Sequence, residues 1–514
     1  MQQSALKKDL HISIFEYIHA RPWNFGDDLD DQCFDTSITL LTELLDHRSE
    51  ANHPEHFSSR FTSEILRLPC LDRMHDDLFP SAAECIQSYL KDAKFHQAVL
   101  ENRQLPLLWS LLEKAASVPE LAEHESARAI EKDILNVLSD ISNLEVYPAH
   151  LQSDYAFVRV LTNRCILTEN DWSTPSTAMC ACILLGNLAT TDENAAEVVT
   201  KLDLTSLFDH ISLIAYGRSK SASRQISDLS LQADTSEQPS APALASYLHA
   251  AGGMLRHLSR SQRIRKTQFA NSAALQAAVA LSQYSHIEVQ ITGLRLYRQL
   301  VATSQSTLSH SINEHHVSTL LRIFADSSNE SVKLEVSRTI VVLLRALSPM
   351  KSVTENSSVE EQRTGKQVDQ AAGVSADLLS TFLAVPDLTS SLLFALTRTT
   401  AQPNSQPVPA LAQAESWFGL VLLALSDRKG KELAVSCLRQ SDIWTALEEA
   451  TTTSDVPDST GMMSANGEKT RMRDNAIAFA AEMRKQDSGL EDEYRERLES
   501  LLQKAGIDIQ QRSS

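Results

Sequence analysis

Glycine is scarce in this chain, with only 14 in 514 residues. So few leave little material for the tight turns of a sandwich, barrel or propeller, and the chain is read as all-α with essentially no sheet. No stretch reaches 18 apolar residues without charge, so no transmembrane segment is expected. The opening MQQSALKKDLHISIFEYIHARP has no uninterrupted apolar core of signal-peptide type, and the expected location is cytoplasmic. Enzyme fingerprints are also missing: there is no GxxxxGK[ST] loop, GxGxxG, HExxH, GxSxG or kinase motif set. No catalytic residue, cofactor, metal or small-molecule substrate is therefore expected. Positive charge is short as well. A formal net charge of -19 argues against nucleic-acid binding, which needs a basic surface, and favours a basic partner through long-range steering. Acid concentrates early: the first 50 residues hold ten Asp or Glu against four Lys or Arg, with Asp27, Asp28, Asp30, Asp31 and Asp35 in one run.

What the chain does have is a helical unit that returns. In residues 177–214 an apolar helix ends in Leu-Gly-Asn-Leu-Ala, a polar turn and a Val-Val segment follow, and a helix with Leu204, Leu207, Phe208 and Ile211 closes the unit. Residues 247–282 and 416–450 repeat the shape, which is that of an armadillo-type repeat. Such a unit cannot bury its apolar face alone, so neighbours must stack. Leu90, Ile141, Leu188, Leu258, Leu300, Leu347 and Leu425 mark the last strong apolar residue before each polar turn. Their short steps of 42 and 47 residues fit HEAT and armadillo units, whereas steps of 70 and 78 residues each contain a polar stretch without aromatics, 217–241 and 349–371. These two are expected to be disordered insertions. Helical spacing is clear in 332–347, where Val332, Val336, Ile340, Leu343 and Leu347 share one face. The expectation is one armadillo/HEAT-type right-handed superhelical solenoid of about seven to nine repeats over 1–514, with a flexible loop at 451–470 and C-terminal helices at 471–506.

Several tempting residues have plainer explanations. The seven cysteines are odd in number and mostly sit in helical patterns, as reduced core thiols do. Cys180 and Cys182 are too close in sequence for a zinc knuckle and have no second pair downstream. His315 and His316 read as a helix-start pair rather than metal ligands. Arg256, His257, Arg260, Arg263, Arg265 and Lys266 form the one basic cluster, read as a solvated turn with contact to an acidic surface, phosphate or headgroup as the alternative. Arg224 stands three before Ser227, a common pattern that resembles a basophilic kinase site. Gly186 suits close helix packing and an Asn near a turn suits capping. In armadillo proteins, however, Asn residues facing the groove clamp a bound backbone, which makes Asn187 and Asn194 candidates for partner contact.

The stretch CILLGNLATTDENAAEVVTKLDL resembles the repeats of the small-GTPase GDP-dissociation stimulator family (SmgGDS-like), where LGNLA-type helices precede an acidic or Asn-bearing turn. Outside 177–214 the likeness is to the generic repeat. The resemblance implies a cytosolic protein that binds Rho- or Ras-type small GTPases with a polybasic, prenylated tail, stimulating nucleotide release or escorting the GTPase. By position it implies partner contact at Asp192, Glu193 and Glu197 in the acidic turn and at Asp209 and His210 on the following helix. An acidic groove attracting a Lys/Arg-rich tail is compatible with that reading. The alternative is an armadillo-type interaction scaffold or cargo or chaperone adaptor without exchange activity. The five tryptophans do not recur at repeat spacing, which argues against an importin-α-like cargo ladder.

Overall fold

The computed structural model describes residues 10–24, 27–46, 59–70, 79–117, 125–152, 154–167, 175–224, 241–302, 312–348, 379–385, 387–401, 408–452, 463–485 and 488–507. Among the described residues every regular element is a helix and none is a strand. The chain divides into two compact units: Met1–His210 with Ser227–Ile264, and Ile211–Ile226 with Arg265–Ser514.

The first unit is built on helices that stack in series. They are α1 (Leu10–Ala20), α2 (Asp28–Asp46), α3 (Ser59–Arg67), α4 (Phe79–Leu90), α5 (Ala93–Glu101), α6 (Leu105–Ser117), α7 (Glu125–Ser142), α8 (Tyr147–Gln152), α9 (Tyr155–Arg164), α10 (Pro175–Leu188) and α11 (Asp192–Lys201). After these come the first residues of α12 (Leu204–Arg224), which from Ile211 on belongs to the second unit, and α13 (Ala241–Leu258). Five of them form a spine, in which α2 packs on α4, α4 on α7, α7 on α10 and α10 on α13. Between spine helices α7 and α10, and again between α10 and α13, the chain makes a short helix and then a longer one. That repeated unit is the armadillo/HEAT-type arrangement.

The second unit repeats the plan. After α14 (Gln262–Gln268) come α15 (Ser272–Ser282), α16 (Ile287–Val301), α17 (Glu314–Asp326), α18 (Glu330–Leu347), α19 (Leu388–Ala401), α20 (Ala410–Leu425), α21 (Arg428–Leu438), α22 (Ser441–Thr452), α23 (Met463–Met483) and α24 (Asp492–Lys504). Here the spine runs α16, α18, α20, α23, each packed on the next. Spine helix α16 also approaches α15 closely, at Gly293. A methyl group there would lie 2.4 Å from the Ser282 amide nitrogen and 2.8 Å from the Ala278 carbonyl oxygen, so only glycine lets α16 approach α15 this closely.

The apolar markers locate the spine. Leu90, Leu188, Leu258, Leu347 and Leu425 are the final residues of α4, α10, α13, α18 and α20, while Ile141 and Leu300 are next to last in α7 and α16. All are buried except Leu425, which is 52% exposed because Leu420, Leu422 and Leu423 supply the inward face of α20. The polar turns that follow have a structural task, since a helix start leaves backbone N–H groups without partners. Thr191 caps α11 at the Asn194 amide (3.2 Å), Asn329 caps α18 at Ser331 and Val332, and Asp427 caps α21 at Gly430.

Other expected boundaries shift or fall outside what is described. Helix α12 continues through Arg224, so the first residues of 217–241 are helical; residues 225–240, including Ser227, lie outside the described residues, as does all of 349–371. In 451–470 the described ends are helical, belonging to α22 and α23, and residues 453–462 lie outside the description. The described part of 471–506 consists mainly of the rest of α23 and of α24.

Candidate functional site

The residues singled out by sequence lie in the first unit, on α10, α11 and the opening turns of α12. Helix α10 is fixed from nearly every side: Ala178, Cys180, Ala181, Cys182, Leu184, Leu185 and Leu188 are all buried. Burial pushes the Cys180 thiol up to about 12, so it stays protonated and unreactive at neutral pH. Tyr147, fully buried at the start of α8, donates its hydroxyl to the Leu184 carbonyl at 3.0 Å. Near the end of α10 the Asn187 amide donates to Ser142 Oγ at 2.8 Å and to Asn143 Oδ1 at 3.3 Å. Asn187 thus ties two successive spine helices together.

Helix α11 begins at the acidic turn. Asp192 and Glu193 are exposed in its first turn, where the helix dipole favours negative charge, and neither has an ion-pair partner among the described residues. Asn194 is buried and its backbone receives the Thr191 cap. Glu197, one turn on, binds Lys201 at 2.7 Å, and that ammonium lies 4.4 Å from the centre of the Tyr155 ring. On α12, Asp209 is exposed and without an ion-pair partner among the described residues, whereas the His210 ring is half-buried with Nδ1 2.9 Å from the Ser206 carbonyl. Of the seven expected contact residues, then, Asp192, Glu193 and Asp209 offer open charge. Asn187, Asn194, Glu197 and His210 already serve the fold. Asp203 adds a fourth exposed acid, held below the usual carboxylate range by hydrogen bonds from the Ser206 hydroxyl and amide.

Two polar features were not singled out by sequence. One is an open cleft of about 630 Å³ lined by Tyr155, Ala156, Arg159, Asn163, Thr200 and Lys201, between α9 and the end of α11. The spacing of Tyr155, Arg159 and Asn163, one helical turn apart, was a signal available beforehand. The other is an ionic ladder in the second unit. Glu335 on α18, with its side chain only 5% exposed, lies 3.2 Å from Arg295 and 3.3 Å from Arg298, both on α16. Arg338 bridges onward, 3.3 Å from Glu335 and 2.6 Å from Glu415 on α20. Burial lowers the Arg298 pKa, and the adjacent carboxylates oppose that shift. A lone acid inside an apolar helix, as in KLEVSRTIVV or AQAESWFGL, is the trace such a ladder leaves in sequence.

The early acidic run also has a local explanation. Asp28, Asp30 and Asp31 occupy the first turn of α2, and Asp30 accepts from the Asn24 amide at 2.9 Å and pairs with Arg21. In the basic cluster, Arg256 and His257 fall in the last turn of α13, and Arg265 and Lys266 in the last turn of α14, where cations complement the carbonyl end of the helix. His315 is exposed and His316 buried at the start of α17, consistent with a helix-start pair. Among the described residues no helix is long and apolar enough to cross a membrane.

No family model matches the chain, and no curated protein matches it. Among solved structures, a crystal structure of an engineered protein aligns over 90% of this chain and 98% of its own, at 13% identity and a TM-score of 0.41. The crystal complex of SYS-1/POP-1 aligns over 87% and 88% of the two chains, at 11% identity and a TM-score of 0.23. Likenesses that distant leave function to be argued from the residues themselves.

Proposed function

We propose that this protein acts by binding, not catalysis, and that its partner presents a basic segment to the acidic edge formed by α11 and α12. The observation that carries the reading is the open charge of Asp192, Glu193 and Asp209: three exposed carboxylates without ion-pair partners among the described residues, in a chain of net charge -19. Unpaired exposed acids contribute little to stability, whereas they do raise the encounter rate with a cationic partner. The resemblance of 177–214 to the GDP-dissociation stimulators suggests the partner class, a small GTPase with a polybasic tail met in the cytoplasm. An exchange factor of this kind works through different affinities for the nucleotide-free and loaded states, which requires a surface and no covalent chemistry.

The test is association of the full chain with a tailed small GTPase, using the variant Asp192→Lys, Glu193→Lys, Asp209→Lys. Glu197 is left intact because its loss would free Lys201 and disturb the cation over Tyr155. Slower association at low salt, converging with wild type as salt rises, supports the reading. If no small GTPase binds in any nucleotide or prenylation state, the partner class is wrong and an interaction scaffold without exchange activity takes its place.

A further inference from the structure

The cleft between α9 and α11 has an unusual lining for so acidic a chain. Its walls hold a guanidinium (Arg159), an ammonium (Lys201), an amide (Asn163), a hydroxyl (Thr200) and a phenol (Tyr155), and no Asp or Glu. The two cations are in different states. Lys201 is held by Glu197 at 2.7 Å and lies over the Tyr155 ring, so its position is set before any ligand arrives. The Arg159 side chain has neither hydrogen-bond nor ionic partner among the described residues and is exposed. The Asn163 side chain likewise has no hydrogen-bond partner there. Tyr155 is 62% exposed and Val160, on the same helix, is 41% exposed. Together they offer apolar surface beside the cations.

We infer that this cleft receives a phosphoryl group carried on a peptide, with Arg159 as its principal charge partner. A phosphoryl group fits better than a carboxylate because it brings three strong acceptor oxygens and nearly two charges to a site with five donor-bearing side chains. Arg159 offers a planar fork to two of those oxygens. Lys201, Asn163 and Thr200 stand ready for the rest, although Thr200 must rotate away from the Glu197 carbonyl that it now donates to at 2.7 Å. The residues flanking the phosphoryl group would cover the Tyr155 ring and Val160. Helix α11, with ten residues, spans about 14 Å, so its acidic start and this basic cleft are separate addresses on one element. The two sites therefore succeed or fail independently.

The experiment measures retention of the purified full-length protein on a degenerate phosphoserine peptide pool. The comparison pools are the same peptides unphosphorylated and with glutamate at the fixed position. Wild type should be retained about tenfold better on the phosphorylated pool, and inorganic phosphate should compete. Arg159→Gln should remove that preference, with unchanged thermal unfolding since the side chain is exposed, and Asn163→Ala should weaken it. Arg428→Gln, in the second unit and 94% exposed, should leave it intact. Equal retention on the phosphorylated and unphosphorylated pools overturns the inference. So does equal retention on the glutamate pool, or a preference that survives Arg159→Gln.

Discussion

The two units share a plan but join their spine helices by different chemistry. In the first, the links onto the spine are chiefly neutral hydrogen bonds: Asn187 of α10 to Ser142 and Asn143 at the end of α7, Tyr147 of α8 to the Leu184 carbonyl of α10, and Tyr247 of α13 to the Cys165 carbonyl after α9 at 3.1 Å. Between α4 and α7 Gln87 reaches Asp133 at 2.6 Å, and two ion pairs of this unit, Lys91 to Asp133 at 4.0 Å and Arg164 to Glu113 at 2.9 Å, each have a well-exposed cation. In the second, Arg295, Arg298 and Arg338 share Glu335 and Glu415 across α16, α18 and α20. Neutral links cost little to desolvate and are lost one at a time. A buried ionic ladder is costly to form and depends on every member, because removing one charge strands the others. The same stacking problem thus has a forgiving solution and an all-or-nothing one.

The largest effect should come from breaking the ladder. Glu335→Ala leaves three guanidiniums facing one carboxylate and is expected to cost about 3–5 kcal/mol, read as a fall in the urea midpoint and loss of amide protection in α16–α20. Replacing Glu335 with Met together with Arg298→Leu and Arg338→Met should recover much of that loss if desolvation dominates.

Mild acid should separate the units next. His316 is buried with its ring edge-on to Tyr297 at 5.9 Å, and burial, with His315 adding to it, lowers its pKa to about 4. The unfolded chain binds this proton near pH 6.5 and the folded chain does not until about pH 4. The folded form is therefore fully favoured above pH 6.5 and loses about 3 kcal/mol as pH falls to 4. His316→Leu should flatten that part of the pH–stability curve. An unchanged slope would mean that another group carries it.

Glycine substitutions give a somewhat smaller contrast. Gly293→Ala must move backbone in the second unit and should cost about 2–3 kcal/mol. At Gly186 the added methyl meets Met254 Cα at 3.3 Å, so Gly186→Ala should cost less than about 1 kcal/mol. Smallest of all, Asn187→Ala removes a half-exposed neutral link and should cost about 0.5 kcal/mol. Equal losses for Asn187→Ala and Glu335→Ala would erase the distinction between the two solutions.

The fold was legible because its signal is periodic and apolar. Seven markers chosen by hydrophobicity fall at the ends of seven spine helices. Spine helices α2 and α23 carry no such marker, since an acidic run opens one and MSANGEKTR the other; of α23 only the part from 471 on is expected from sequence to be helical. The site was legible only in part, because sequence shows which groups are polar and not which are already engaged. Asn194 and Glu197 look like Asp192 and Glu193 on paper, yet one is buried beside a cap and the other holds Lys201. The cleft at Arg159 joins α9 to the end of α11, with Thr200 standing 41 positions after Arg159 in the chain, and no local pattern announces such a pairing.

The most direct test of the binding account is the salt dependence of association between the full chain and a small GTPase bearing its polybasic tail. Wild type should associate several-fold faster than the Asp192→Lys, Glu193→Lys, Asp209→Lys variant at low ionic strength, with the two rates converging near 0.5 M salt, where the screening length falls to roughly 4 Å. Equal rates at low salt would contradict the account and leave these carboxylates as solvated surface.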